Sequence, residues 1–257
     1  MRLVALHAFP LDSRMWGFVS DAARRGELGA GVEVVTPDFR GRHAAERPAE
    51  RVHGMPRLAK DVLEDLWGGP PFVLMGLSMG GYVALETVSR LSSEMRSLLR
   101  GLVLCDTRAG ADDEAGKARR EAVAAAIEGD GMEPLVADMT PKFLHRRARG
   151  GPLEELVARM MRETPPAAAA ADQRGMAERA DRFDTLAGLT VPLLVAMGDD
   201  DPLTPPVEGE RMIEAAGNAP YVEYLSLPEA AHLGPLERPE LFVPALGRFL
   251  ERCALVP

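Results

Sequence analysis

Six short apolar runs punctuate the chain: Leu3–Leu6, Val32–Val35, Phe72–Met75, Leu102–Cys105, Leu193–Met197 and Val222–Leu227. Near-continuous apolar runs of this length suit strands buried on both faces of a parallel sheet. Between them lie helix-like segments at Met15–Arg25, Met55–Leu66, Gly80–Leu91, Val207–Ala216 and Glu240–Arg252. Strand and helix signals in alternation predict a doubly wound α/β fold with a mostly parallel sheet. In such sheets ligands bind beyond the C-terminal ends of the strands.

One interval is too long for a simple crossover. From Thr107 to Thr185 no strand pattern occurs, and the stretch reads as helices rich in Ala, Arg, Glu and Met, broken by glycines and prolines. We expect a core formed by 1–106 and 186–257, with a helical lid inserted at 107–185. The lid methionines Met132, Met139, Met160, Met161 and Met176 are either an adaptable apolar pocket lining or, as we prefer, ordinary contacts between lid helices. Its eleven arginines, from Arg108 to Arg182, are read mainly as a solvated face paired with neighbouring Glu and Asp. The competing reading is that one or two bind a substrate carboxylate. The Ala167–Ala171 run reads as plain helix or linker.

The chain has 257 residues, enough for one large α/β domain, and 46% of them are hydrophobic. A formal charge of −9 argues against general affinity for nucleic acid or an anionic membrane. No stretch reaches the roughly 18 apolar residues of a membrane helix, and the opening apolar run is too short for a signal peptide. Cys105 and Cys253 stand too far apart for a disulfide framework or a metal motif, and are expected as reduced thiols in a cytoplasmic protein.

The strongest chemical signal is Gly76-Leu77-Ser78-Met79-Gly80-Gly81, at the junction between a strand run and a helix run. A serine set between small residues at such a junction is the sequence form of a nucleophile elbow. The tight turn excludes large neighbours, and the helix beginning there aims backbone N–H groups at the reacting centre. Such a serine requires a base. His232, just after the last strand run, is the candidate, because neutral imidazole can take and return a proton near pH 7. His43, His53 and His145 lie in loop or lid segments and are expected to be solvated. The imidazolium then needs an orienting carboxylate. Asp199, Asp200 and Asp201 stand together at a strand end, and Asp106 ends another. Asp201 is preferred, because the order serine, acid, histidine puts the acid late in the chain. Asp199 and Asp200 are assigned to turn formation or capping. The loop after the first strand, His7 to Asp12, can supply one oxyanion donor through the Phe9 main chain, with Met79 N–H as the second. His7 is expected to brace that loop.

With His7-Ala8-Phe9-Pro10, Gly76–Gly81, Gly198–Pro205 and Ala231-His232-Leu233 in this order, the chain resembles the α/β-hydrolase superfamily over nearly its whole length. The nearest-looking branch is that of small bacterial esterases, enol-lactonases and cofactor-free haloperoxidases. The resemblance implies Ser78 as nucleophile, Asp201 as acid, His232 as base, and Phe9 and Met79 as oxyanion donors. It implies hydrolysis of a small ester or lactone through an acyl-enzyme, with no metal or organic cofactor, in a monomer or homodimer. A C–C bond hydrolase or lyase on the same residues, a perhydrolase, and a non-catalytic ligand-binding member of the fold are the alternatives. The chain also departs from the pattern. Ala8 replaces the usual glycine, which predicts a slightly altered oxyanion loop. The usual first two N-terminal strands are missing, which predicts a shorter sheet with Leu3–Leu6 at an exposed edge or beside a different neighbour. Arg42-His43-Ala44-Ala45 replaces the usual glycine and serine after Arg40-Gly41.

Overall fold

Each of the six runs forms a strand; those without a polar face lie where both sides are covered, whereas Val32–Val35 and Val222–Leu227, which carry Glu33, Glu223 and Ser226, form the two edges. The computed structural model describes residues 1–42, 47 and 49–255. The strands are β1 (Arg2–Leu6), β2 (Glu33–Val35), β3 (Phe72–Leu77), β4 (Leu99–Cys105), β5 (Leu193–Gly198) and β6 (Val222–Leu227). They form one parallel sheet in the order β2-β1-β3-β4-β5-β6. Every residue of β3 and β5 is buried, whereas the edge strands β2 and β6 are mostly half-exposed. Leu3–Leu6 is therefore not an edge. β1 pairs with β2 on one side and with β3 on the other, and the free edge falls to the three-residue β2.

Twelve α-helices surround the sheet among the described residues. They are α1 (Gly17–Arg24), α2 (Met55–Leu66), α3 (Met79–Ser89), α4 (Ser93–Arg96), α5 (Glu114–Asp130), α6 (Glu133–Phe143), α7 (Pro152–Glu163), α8 (Pro166–Ala177), α9 (Phe183–Ala187), α10 (Pro206–Ala215), α11 (Gly234–Glu237) and α12 (Pro239–Cys253). The apolar stripe of α2, Met55, Leu58, Ala59, Val62 and Leu66, follows the helical period and faces inward. α1 and α12 pack on one another and reach the sheet at β2, β4 and β6, while α3 lies against β1, β3 and β4 and packs on α2.

Between β4 and β5 the chain forms α5 to α9. α5 packs along α8, whose Ala168–Ala171 are completely buried. That alanine run is thus an interior helix face: small side chains let the two helices approach closely. Met160 and Met161 are fully buried and Met132 nearly so, which makes them packing residues. The parallel sheet brings the ends of β1, β3, β4, β5 and β6 to one rim, and every predicted site residue follows one of those ends.

Candidate active site

The elbow comes first, because its backbone fixes everything else. Ser78 sits between β3 and α3 with φ 53° and ψ −115°, a conformation that costs a non-glycine residue on the order of 1–3 kcal/mol. A Cβ on Gly76 would lie 2.2 Å from Gly80 O, and one on Gly80 would lie 2.2 Å from Leu6 O. Only glycine fits at both places, which is the physical content of the motif. Ser78 N–H donates to Cys105 O (3.0 Å), and Thr107 Oγ1 donates to Ser78 O (2.8 Å). The strained turn is thereby tied to the neighbouring strand end.

Ser78 Oγ lies 2.8 Å from His232 Nε2, and His232 Nδ1 lies 2.8 Å from Asp201 Oδ2. All three side chains are buried, with Ser78 9% exposed. Asp201 Oδ2 also accepts from Thr204 Oγ1 (2.5 Å), and its Oδ1 accepts the Leu203 and Thr204 N–H groups (2.8 and 3.1 Å). Burial pushes this carboxyl up, but the charge and hydrogen bond of His232, with Thr204 and Leu203, outweigh it and bring it below its ordinary value. A carboxylate so held orients the ring with Nδ1–H towards Asp201 and leaves Nε2 as an acceptor for the serine hydroxyl. The Phe143 ring stacks on the imidazole, with centroids 5.6 Å apart.

Capping after β5 thus falls to Asp201 itself. Asp199 accepts from Ser226 Oγ (2.6 Å), and Asp200 Oδ2 lies 3.8 Å from His145 Nε2. Asp106, the rival acid, makes no bond to His232. Its oxygens accept the N–H groups of Gly198 (2.7 Å) and Gly234 (2.9 Å). Burial and the charge of Asp201 hold this carboxyl well above the usual carboxylate range, against those two bonds.

The amide N–H groups of Phe9 and Met79 have no hydrogen-bond partner among the described residues, and Phe9 and Ser78 line the same cavity. Ala8 does not adopt positive φ, so alanine brings no strain there, and its N–H donates to Met15 Sδ (3.2 Å). His7 braces the loop as expected. Its Nδ1 donates to Ala8 O (3.0 Å), its Nε2 accepts Phe39 N–H (3.0 Å), and its ring lies 4.3 Å from that of Phe39. Burial, with the charge of Arg42, lowers its pKa to about 4, so the ring is neutral.

Two of the histidines expected in solvent are not there. His53 is completely buried, with Nδ1 2.7 Å from Asp172 Oδ1 and Nε2 accepting Glu50 N–H (3.0 Å). The Asp172 carboxylate is shared with Arg42, which also donates to Leu11 O (2.9 Å). His145 is largely covered, at 13% side-chain exposure, and its N–H donates to Glu237 Oε2 (2.7 Å). His43 and the altered stretch after Arg42 lie outside the described residues.

Above Ser78 and His232 opens a cavity of about 630 Å³. Its far walls come from the insertion, through Val123, Met139, Phe143 and Met176 among others. Three of the eleven insertion arginines line it: Arg108, Arg119 and Arg120. Others pair outside the cavity, as Arg174 does with Glu121 and Glu128. Asp112 gathers Arg108 (3.1 Å), Arg120 and, from behind, Arg179 (2.7 Å). Arg119 is exposed and makes no ion pair among the described residues. No group of His, Cys, Asp or Glu among those residues is arranged to hold a metal ion, and none of their helices is long and apolar enough to cross a membrane.

Thr204, Phe143 and Asp112 were missed in the sequence. Thr204 had a local signal, an Asp-x-x-Thr turn after a strand. Phe143 and Asp112 had none, because insertion helices reveal their inner face only once packed.

The chain matches the model of the "Alpha/beta hydrolase family" over residues 3–245. Its structure is similar to a thermophilic esterase from Thermogutta terrifontis with malate bound, at 34% identity and a TM-score of 0.85, covering 98% of this chain and 90% of that one. Its sequence is 27% identical over 223 residues to 3-oxoadipate enol-lactonase 1 of Acinetobacter baylyi, covering 85% of this chain and 78% of the relative. A bromoperoxidase from Bacillus anthracis shares the fold, with 21% identity and a TM-score of 0.78 over 97% of this chain and 91% of that one.

Proposed function

The chain belongs to the alpha/beta hydrolase family, and from that premise we propose that it hydrolyses a small carboxylic ester or lactone through an acyl-enzyme on Ser78. The observation that carries this is the pair of 2.8 Å contacts linking Ser78, His232 and Asp201 at the floor of a cavity. Ser78 Oγ attacks the carbonyl carbon as its proton passes to His232 Nε2. The oxyanion is received by the Phe9 and Met79 N–H groups, each contributing on the order of 3 kcal/mol. Collapse of the adduct expels the alcohol, which takes the proton from His232. Water then gives a proton to the same nitrogen and attacks the acyl carbon; the second adduct collapses, the bond to Ser78 Oγ breaks, that oxygen takes the proton back from His232, and the acid leaves. Asp201 holds the ring tautomer throughout. No step calls on a metal or an organic cofactor. Residues 107–185 act as the lid over the core 1–106 and 186–257, a reading supported by the insertion side chains on the cavity walls. The two unpaired, buried thiols of Cys105 and Cys253 fit a cytoplasmic protein.

Ser78→Ala should abolish turnover of a small p-nitrophenyl ester and labelling by a fluorophosphonate, with the thermal midpoint kept. Full activity in this variant refutes the proposal. A wild-type protein that resists the probe is instead a ligand-binding member of the fold. Labelling without ester turnover points to C–C bond cleavage on the same residues.

A specific observation favours a substrate that also carries a carboxylate. Three guanidiniums share the single carboxylate of Asp112, and Arg119 stands free at the cavity wall. Lys142 is matched by Asp138 (2.7 Å), and Asp113 caps α5 through Gly116 N–H (2.7 Å). The excess of cationic groups is unanswered within the cavity, and an anionic substituent would complete it. A rate ratio between a carboxylated ester and its neutral methyl ester decides this.

A further inference from the structure

We propose that Asp106 is a positioning residue for the reaction: its carboxyl group bolts the turn bearing Asp201 to the turn bearing His232. The inference rests on the roles given above to Ser78, His232 and Asp201. Asp106 follows β4, is completely buried and has φ 41°, in the left-handed region that Asp tolerates better than most residues. Gly198 N–H donates to its Oδ1 (2.7 Å) and Gly234 N–H to its Oδ2 (2.9 Å). Gly198 ends β5, three residues before Asp201, and Gly234 opens α11, two residues after His232.

These two turns are in backbone contact. A Cβ on Gly198 would lie 2.0 Å from Ala231 O, and Asp200 N–H donates to Ala230 O (3.0 Å). The other amides beside His232 are also held, Ala231 N–H by Glu237 Oε1 (2.7 Å) and Leu233 N–H by Phe143 O (3.1 Å). Among the described residues only Asp106 spans from the acid turn to the base turn with a single carboxyl group, one oxygen to each. It does not line the cavity and makes no hydrogen bond to the three reacting side chains among the described residues, so it acts through them. A misplacement of about 1 Å between reacting groups can cost on the order of a hundredfold in rate.

Asp106→Asn keeps the size and the tolerance of the backbone, but one of the two N–H groups then faces an amide NH₂. kcat for an ester should fall on the order of tenfold to a hundredfold with KM unchanged, and the rate of fluorophosphonate labelling should fall in parallel. Asp106→Gly, which adopts this backbone freely, serves if the Asn variant does not fold, and should show the same loss. The proposal is overturned by wild-type kcat in a folded variant, by an effect confined to KM, or by failure of both variants to fold, which would make Asp106 a residue of the fold alone. Loss of the underlying roles would show separately, as full activity in Ser78→Ala.

Discussion

A neutral, fully buried His7 holds the loop from which Phe9 N–H points, and its acceptor bond from Phe39 N–H would be destroyed by protonation. Because its folded pKa is about 4 against an ordinary 6.5, the unfolded chain binds the proton first as pH falls. Stability therefore drops between pH 6.5 and 4, by at most about 1.4 kcal/mol per pH unit and about 3 kcal/mol in all. The carboxylates held below their ordinary values, Asp12, Asp172 and Asp201 among them, lose their contribution at lower pH, as pH falls through and below about 4. Urea unfolding at pH 7, 5.5 and 4.5 should show the first slope in the wild type and not in His7→Gln. An equal slope in both would assign it to another group. The residue scale also marks a limit of legibility. His7 was readable as a brace because it follows a strand, whereas His53 carried no hint of its burial, since its partner Asp172 lies 119 positions away.

At the scale of elements, the insertion is fastened to the core at a few buried polar points. Asp172 of α8 binds Arg42 and His53, and Arg42 in turn binds Leu11 O. Thr164, just before α8, donates to Pro10 O (2.7 Å). Both anchors therefore end on the loop that carries Phe9. Arg42, His53 and Asp172 are all less than 5% exposed, so removing one charge leaves the others buried and unmatched. Breaking such a set costs roughly 3–5 kcal/mol. Asp172→Asn should lower urea stability by that order, and a loss below about 1 kcal/mol would show the cluster to be energetically neutral. The strands and the long helices were legible from periodicity alone, and α2 coincides with the expected Met55–Leu66. Which face of the insertion helices points inward was not legible. α5 buries only Ala124 and Ile127, and its polar side supplies part of the cavity wall.

Across the whole molecule the charges are unevenly placed. The chain carries −9, yet its cavity holds Arg108, Arg119, Arg120 and Lys142 against Asp112, Asp113 and Asp138, with Arg179 behind Asp112. A narrow site of this sign inside an acidic protein concentrates small anions locally without attracting polyanions. A carboxylated ester should be cleaved faster than its neutral methyl ester, and the advantage should shrink as salt is raised and the Debye length falls to about 3 Å at 1 M. Arg119→Ala should shrink it as well. Equal rates on the two esters at low salt would show that the arginines serve the fold alone.

Read by itself, the chain determined its six strands, its elbow and the order of serine, acid and histidine. These rest on local constraints: a strand buried on both faces must be apolar throughout, and a turn as tight as that at Ser78 admits only glycine two residues to either side of it. Tertiary structure decided that β1 is not an edge, that Asp201 rather than Asp106 meets the imidazole, and which three of eleven arginines face the cavity. Each of those outcomes depends on contacts between separate segments, such as Asp201 and His232, 31 positions apart. Sheet order and helix docking set those contacts, and no short stretch of sequence records them.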